Sequence, residues 1–299
     1  MPEPDLTTRL DESLPDVDWT SPIPGARRTT ILAPSGSLAA LESGVPSADR
    51  VVLVPGVTGS KEDFRFVIPQ LVAAGYFVQS FDMAGQYESW RAGPENLDPP
   101  RDEYDYELFV DDLVTVLEAG STPAHLLGYS FAGVVAELVA VRRPDLVLSL
   151  TLLSTPPTVG RSYRHIKKIG CLDRFASAKT SALLMKLGIV WNVQRVPPGR
   201  LRFVRDRFAY TRKSSHEQVM GLLQRTPDVR SALAESEIPK LVAVGTRDLW
   251  ALTYHRRFAQ QIGATIAVYR TGHSPCETAP HQLSRDLLAL YARARAERR

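Results

Sequence analysis

Short apolar runs and amphipathic helical patterns follow one another in a recurring order along this chain. Val51-Val52-Leu53-Val54 is apolar and β-branched without alternation and is stopped by Pro55-Gly56, which predicts a strand buried on both faces. Further runs at 76–81, 125–129, 146–153, 240–244 and 265–269 read the same way. Helical patterns fall between or after them at 64–74, 106–118, 131–141, 254–262 and 280–294. The clearest is 106–118, where Tyr106, Phe109, Val110, Leu113, Val116 and Leu117 share one face. In 64–74 the apolar spacing is interrupted by Pro69, which moves the helix start later. Segments 28–32 and 37–41 add an opening pair of strands. Strands alternating with helices predict an α/β fold: a mostly parallel sheet flanked by helices, with reactive groups in the loops at the strands' carboxyl ends. The alternation breaks at 155–237, where helical patterns occur without a convincing strand. The chain therefore divides into a first core part (1–154), a helical insertion (155–237) and a second core part (238–299).

Composition narrows the class. With 44% hydrophobic and 23% charged residues among 299, the chain buries a large core, and disorder is excluded. Two cysteines, Cys171 and Cys276, make neither a zinc cluster nor a disulfide framework. Residues 1–19 are polar and acidic, with no basic stretch leading into an apolar one, and no apolar stretch reaches the ~18 residues of a membrane span. The expectation is a cytoplasmic protein without a membrane span. A net charge of +3 is too small to imply nucleic acid. Its distribution is uneven: residues 161–213 hold 14 Lys and Arg against Asp173 and Asp206, a local balance of +12.

Gly128-Tyr129-Ser130-Phe131-Ala132-Gly133 sits where the strand 125–129 must turn into the next helix. Small residues at 128, 132 and 133 let the two backbones approach, which leaves the serine strained and exposed at the top of the sheet. A serine capping a helix is the alternative reading of this hexapeptide. The motif resembles the nucleophile elbow Gly-x-Ser-x-Gly of the α/β-hydrolase family, with Ala132 in place of the last glycine. The resemblance extends over about residues 28–295, with 155–237 as a helical cap, and implies an α/β-hydrolase fold.

In that family the order is serine, acid, histidine. Among the histidines after residue 244, His255 lies in a helical pattern beside Arg256 and Arg257 and reads as solvated, and His281 follows Pro280 at a helix start. His273, in Thr271-Gly272-His273-Ser274-Pro275, directly follows the strand 265–269 and suits a base reaching over the sheet. Asp248, in Gly245-Thr246-Arg247-Asp248, follows the strand 240–244 in the same way. A surface-loop histidine and a turn-forming aspartate are the bland alternatives. Glu277 and Asp286 come after His273 and break the order, so Glu277→Gln is expected to do little.

The resemblance then implies Ser130, His273 and Asp248 as a catalytic triad, and the backbone NH groups of Val57 and Phe131 as an oxyanion hole. The loop Pro55-Gly56-Val57-Thr58-Gly59-Ser60 has Pro where many relatives have His. It is neither a phosphate loop nor a dinucleotide fingerprint. Asp82, in a segment similar to the family's Asp-x-x-Gly-x-Gly-x-Ser turn, reads as structural, and Cys276 reads as packing. Trp191, Phe203, Phe208, Tyr210, Met185 and Met220 read as cap core before pocket lining. No metal or organic cofactor is implied.

The expected activity is hydrolysis of a carboxylic ester in a small-molecule substrate through an acyl-serine. Alternatives are an amide, a thioester or a carbon–carbon bond, or a hydrolase-fold receptor without turnover. The epoxide-hydrolase and haloalkane-dehalogenase branches resemble the chain in fold but use an aspartate nucleophile. The basic segment, in the element expected to roof the site, points to an anionic substrate, and neutralising Arg200, Arg202 and Arg205 tests this.

Overall fold

The computed structural model describes residues 5–162 and 196–298. Its centre is a set of strands whose residues are buried on both sides: β3 (Arg50–Val54), β5 (Ala124–Tyr129) and β7 (Lys240–Gly245) have no exposed position. With β1 (Ala26–Ala33), β2 (Gly36–Ser43), β4 (Phe77–Phe81), β6 (Val147–Leu153) and β8 (Thr265–Tyr269) they form an eight-stranded sheet in the order β1-β2-β4-β3-β5-β6-β7-β8. β1 pairs antiparallel with β2 and β2 with β4, and every other pairing is parallel.

Successive residues of the central strands serve opposite cores, as a pleated strand requires. Val52, Val54, Leu126 and Leu152 join one cluster with the apolar faces of α3 (Tyr106–Glu118), α4 (Phe131–Arg142) and α8 (Leu252–Gln261). Val51, Leu53, Leu127 and Leu153 join the other with α2 (Ile68–Ala73) and α10 (Pro280–Glu297). Pro69 falls in the first turn of α2, where its missing N–H breaks no bond, and a 3₁₀ turn at Lys61–Phe64 precedes it. The expected helix at 64–74 is thereby shortened from its front. Asp105 caps α3 by accepting from the Leu108 amide at 2.8 Å. At the chain's start, Asp11 of α1 (Leu6–Glu12) accepts from the His281 and Gln282 amides at the start of α10.

Between β6 and β7 the described residues form α5 (Pro198–Tyr210), α6 (Lys213–Leu222) and α7 (Arg230–Glu235), and no strand beyond one isolated bridge, Gly160 to Thr226. α5 and α6 lie across loops at the carboxyl ends of the strands, whereas α7 packs against α4 and α8. Arg207 of α5 donates to Ser60 Oγ in the loop after β3 at 3.1 Å, and Ser215 of α6 donates to the Ala84 carbonyl after β4 at 3.3 Å. Cys171, Met185 and Trp191 lie outside the described residues, as does most of the basic segment. Phe203 and Met220 are core, whereas Tyr210 is exposed.

Candidate active site

The turn from β5 into α4 carries Ser130 at φ 55°, ψ −119°, a conformation that a non-glycine residue keeps only where its surroundings hold it. The packing shows what holds it. A Cβ on Gly128 would stand 2.4 Å from the Ala132 carbonyl oxygen, and one on Gly133 would stand 1.9 Å from Thr155 Oγ1. The methyl of Ala132 is accommodated, so the close approach in this chain falls on Gly133 and not on the residue where the family motif has its last glycine. The Ser130 amide donates to the Leu153 carbonyl at 2.8 Å and pins the turn to β6.

Loops after β7 and β8 bring two further side chains to that serine. His273 Nε2 is 3.1 Å from Ser130 Oγ, and His273 Nδ1 is 2.9 Å from Asp248 Oδ2. An ionised carboxylate only accepts, so the ring hydrogen sits on Nδ1 and bare Nε2 faces the serine hydroxyl. The Asp248 side chain has no exposed surface. Burial alone pushes its carboxyl upward, but the facing His273 and hydrogen bonds from His255 and His273 hold it well below the usual carboxylate range. The three residues named from the sequence thus form one continuous hydrogen-bonded line.

The loop after β3 runs beside the same serine. A Cβ on Gly56 would lie 3.1 Å from Ser130 Cβ, and Thr58, next to Val57, has a left-handed φ of 58°. Phe131 opens α4, where the first amides of a helix have no intrahelical acceptor. Asp82 lies away from this line. It accepts from the Lys61 amide at 2.8 Å and from Lys61 Nζ at 2.9 Å, and its carbonyl accepts from Ser89 Oγ, which agrees with a structural role. Cys276 is a buried free thiol packed in the α2/α10 core.

Two expectations change. His255 is not solvated. It is fully buried, with Nε2 3.3 Å from Asp248 Oδ1. The periodicity contained this, because His255, Phe258, Ala259 and Ile262 follow the i, i+3, i+4, i+7 spacing of one helix face, and all four are buried. Arg200 is not a free surface charge. It donates to Asp63 at 2.9 Å and to Glu277 at 2.7 Å, and Arg207 also donates to Asp63; both arginines and Asp63 are buried, and Glu277 is half-buried. Burial pushes the Asp63 carboxyl up, yet Arg207 and Arg200 outweigh it and keep the carboxyl low. Glu277 in turn is tied into this cluster. Trp250 also escaped the sequence reading. Its amide donates to Asp248 Oδ1 at 3.2 Å and its indole Nε1 to the Ser162 carbonyl at 2.6 Å. Beside the base, Tyr129 and Ser274 share a 2.8 Å hydrogen bond between hydroxyls. Among the described residues there is no cluster of metal-ligating side chains and no helix long and apolar enough to cross a membrane.

Known proteins share this architecture. A hydrolase from Pseudomonas aeruginosa superimposes with a TM-score of 0.70 at 20% identity, covering 88% of this chain and 98% of its own. A putative aryl esterase from Burkholderia cenocepacia gives 0.69 at 19%, covering 90% and 100%. These likenesses establish the fold. Among curated sequences, bifunctional epoxide hydrolase 2 of Rattus norvegicus is 32% identical over 111 residues, 37% of this chain and 19% of that protein. The Sus scrofa protein of that name is 32% identical over 127 residues, 42% and 21%. The match to these relatives thus spans about a fifth of their length. The model of the alpha/beta hydrolase family matches residues 51–286, from β3 into α10 and across every loop described above. By that match and by its fold, the chain belongs to the alpha/beta hydrolase family.

Proposed function

We propose that this chain is a serine hydrolase that cleaves a carboxylic ester in a small-molecule substrate. The observation that carries the reading is the line Asp248–His273–Ser130, joined by hydrogen bonds of 2.9 and 3.1 Å and ending on a serine held at positive φ. In this reading His273 Nε2 takes the hydroxyl proton as Ser130 Oγ attacks the ester carbonyl. Buried Asp248 stabilises the imidazolium so formed. The amides of Val57 and Phe131 donate to the oxyanion. Collapse of the tetrahedral adduct expels the alcohol, which takes the proton from His273, and leaves an acyl-serine. Water then repeats the sequence and frees the acid. Within the segment 155–237, α5 and α6 form the cap over the site.

The match to epoxide hydrolases suggests an epoxide as the second substrate class. The serine at the elbow favours the ester. Attack of a serine oxygen on an epoxide carbon produces an ether, which this machinery has no carbonyl to release. An acyl-serine, by contrast, is open to water. The test is turnover of short p-nitrophenyl esters by the purified protein and by Ser130→Ala. Loss of such a nucleophile costs up to ~10⁶ in rate. More than a few per cent of residual ester turnover in folded Ser130→Ala removes Ser130 from the mechanism.

A further inference from the structure

Asp248 is bracketed by two histidines. His273 meets Oδ2 from the loop after β8, and His255 meets Oδ1 from α8, with the Trp250 amide also on Oδ1 at 3.2 Å. Because a carboxylate only accepts, the His255 ring hydrogen that serves it must sit on Nε2. The other ring nitrogen, Nδ1, is buried and has no hydrogen-bond partner among the described residues. A packing role does not account for this arrangement. At a fully buried position an apolar side chain would fill the same space without stranding a polar nitrogen. What the histidine adds is a donor on the acid.

We propose that His255 is a positioning residue for the triad acid, holding Oδ1 so that Oδ2 stays aligned on His273 Nδ1. This rests on the assignment of Asp248, His273 and Ser130 made above. Two effects follow. The carboxylate is fixed against rotation from its far side. Its negative charge is also shared between two donors, which moderates how strongly it stabilises the His273 imidazolium. Among the described residues, the titratable groups facing the Asp248 carboxylate are His273 and His255, and Trp250 contributes only its amide and its ring edge. Removing the His255 donor therefore concentrates charge on the His273 side. The acidic limb of the pH profile then moves to higher pH, while the acid itself is held less firmly.

The experiment compares His255→Leu, which removes the donor, with His255→Gln, whose amide keeps one that does not titrate. The assay is p-nitrophenyl acetate hydrolysis across pH, with thermal melts to verify folding. His255→Leu is expected to lower kcat about tenfold at little change in KM, the loss appropriate to one hydrogen bond on a charged group. It is also expected to raise the acidic limb, and His255→Gln to restore most of both. Wild-type kcat and pH limb in folded His255→Leu overturn the proposal, as does an equal loss in His255→Gln. Should His255→Leu fail to fold, ¹⁵N spectra of the wild-type protein decide. A hydrogen on His255 Nε2 supports the proposal, and one on Nδ1 alone overturns it. Failure of the underlying triad reading is distinguishable, because it shows as wild-type protein without ester turnover.

Discussion

At the scale of single residues, what matters is which atom carries which proton. Asp248 holds a hydrogen on His273 Nδ1, and that leaves Nε2 free for Ser130. Asp248→Asn presents an amide that favours the wrong tautomer. It should lower kcat by ~10⁴ while leaving KM close to that of the wild type, measured by steady-state ester hydrolysis. A loss shared equally between kcat and KM would instead mark Asp248 as part of the binding surface. The residues of this line were legible because each follows a strand directly: Ser130 after 125–129, Asp248 after 240–244 and His273 after 265–269. His255 was not, because its neighbours Arg256 and Arg257 suggested solvent while its own spacing to Phe258 and Ile262 pointed inward. Adjacent residues in a helix face different ways, so the charge of a neighbour carries less information than the residues three and seven positions on.

At the scale of elements, the insertion shows how charge counted along the chain differs from charge in space. The +12 over residues 161–213 treats only acids within the segment as partners. Folding supplies others: Asp63 and Glu277 meet Arg200, Asp63 meets Arg207, and Glu95 meets Arg212. Arg200 thereby connects α5 to the turn after the Val57 loop and to α9 (Pro275–Thr278), which follows His273. Substitution of Arg200 consequently tests stability before it tests substrate charge. Arg200→Met leaves two buried carboxylates short of a partner and should cost about 3–5 kcal/mol, read as a lowered urea midpoint at unchanged slope. An unchanged midpoint would show the cluster to be dispensable.

In α4, Glu137 is buried with Oε1 unpartnered among the described residues, and burial, with Asp228 nearby, pushes its pKa up to about 8 from an ordinary 4.5. Between those values the folded state binds a proton that the unfolded state has released. Stability is therefore full below about pH 4.5 and declines as pH rises through about 8. Glu137→Gln should match the wild type near pH 5 and exceed it by a few kcal/mol near pH 9, in urea unfolding at the two pH values. Parallel pH curves for the two proteins would contradict this.

At the scale of the whole molecule, the sheet was readable because its strands are buried on both faces. Apolar runs such as 51–54 and 240–244 then mark strands without needing alternation. The edges were less distinct: β8 is partly exposed, and β1 carries Leu32 in solvent, so both depend on pairing more than on composition. What the sequence could not supply is how the parts meet. The sheet assembles Ser130, Asp248 and His273 from positions up to 143 residues apart, while α5 closes over the same edge through ion pairs and α6 through hydrogen bonds, both invisible to periodicity. The central claim is that this edge makes one activated serine. The most direct measurement is fluorophosphonate labelling of the wild-type protein followed by peptide mass mapping, with folded Ser130→Ala and Asp248→Asn alongside. The account predicts one adduct, on Ser130, absent in Ser130→Ala and formed far more slowly in Asp248→Asn. An unlabelled wild-type protein, or an adduct that persists in Ser130→Ala, would contradict it.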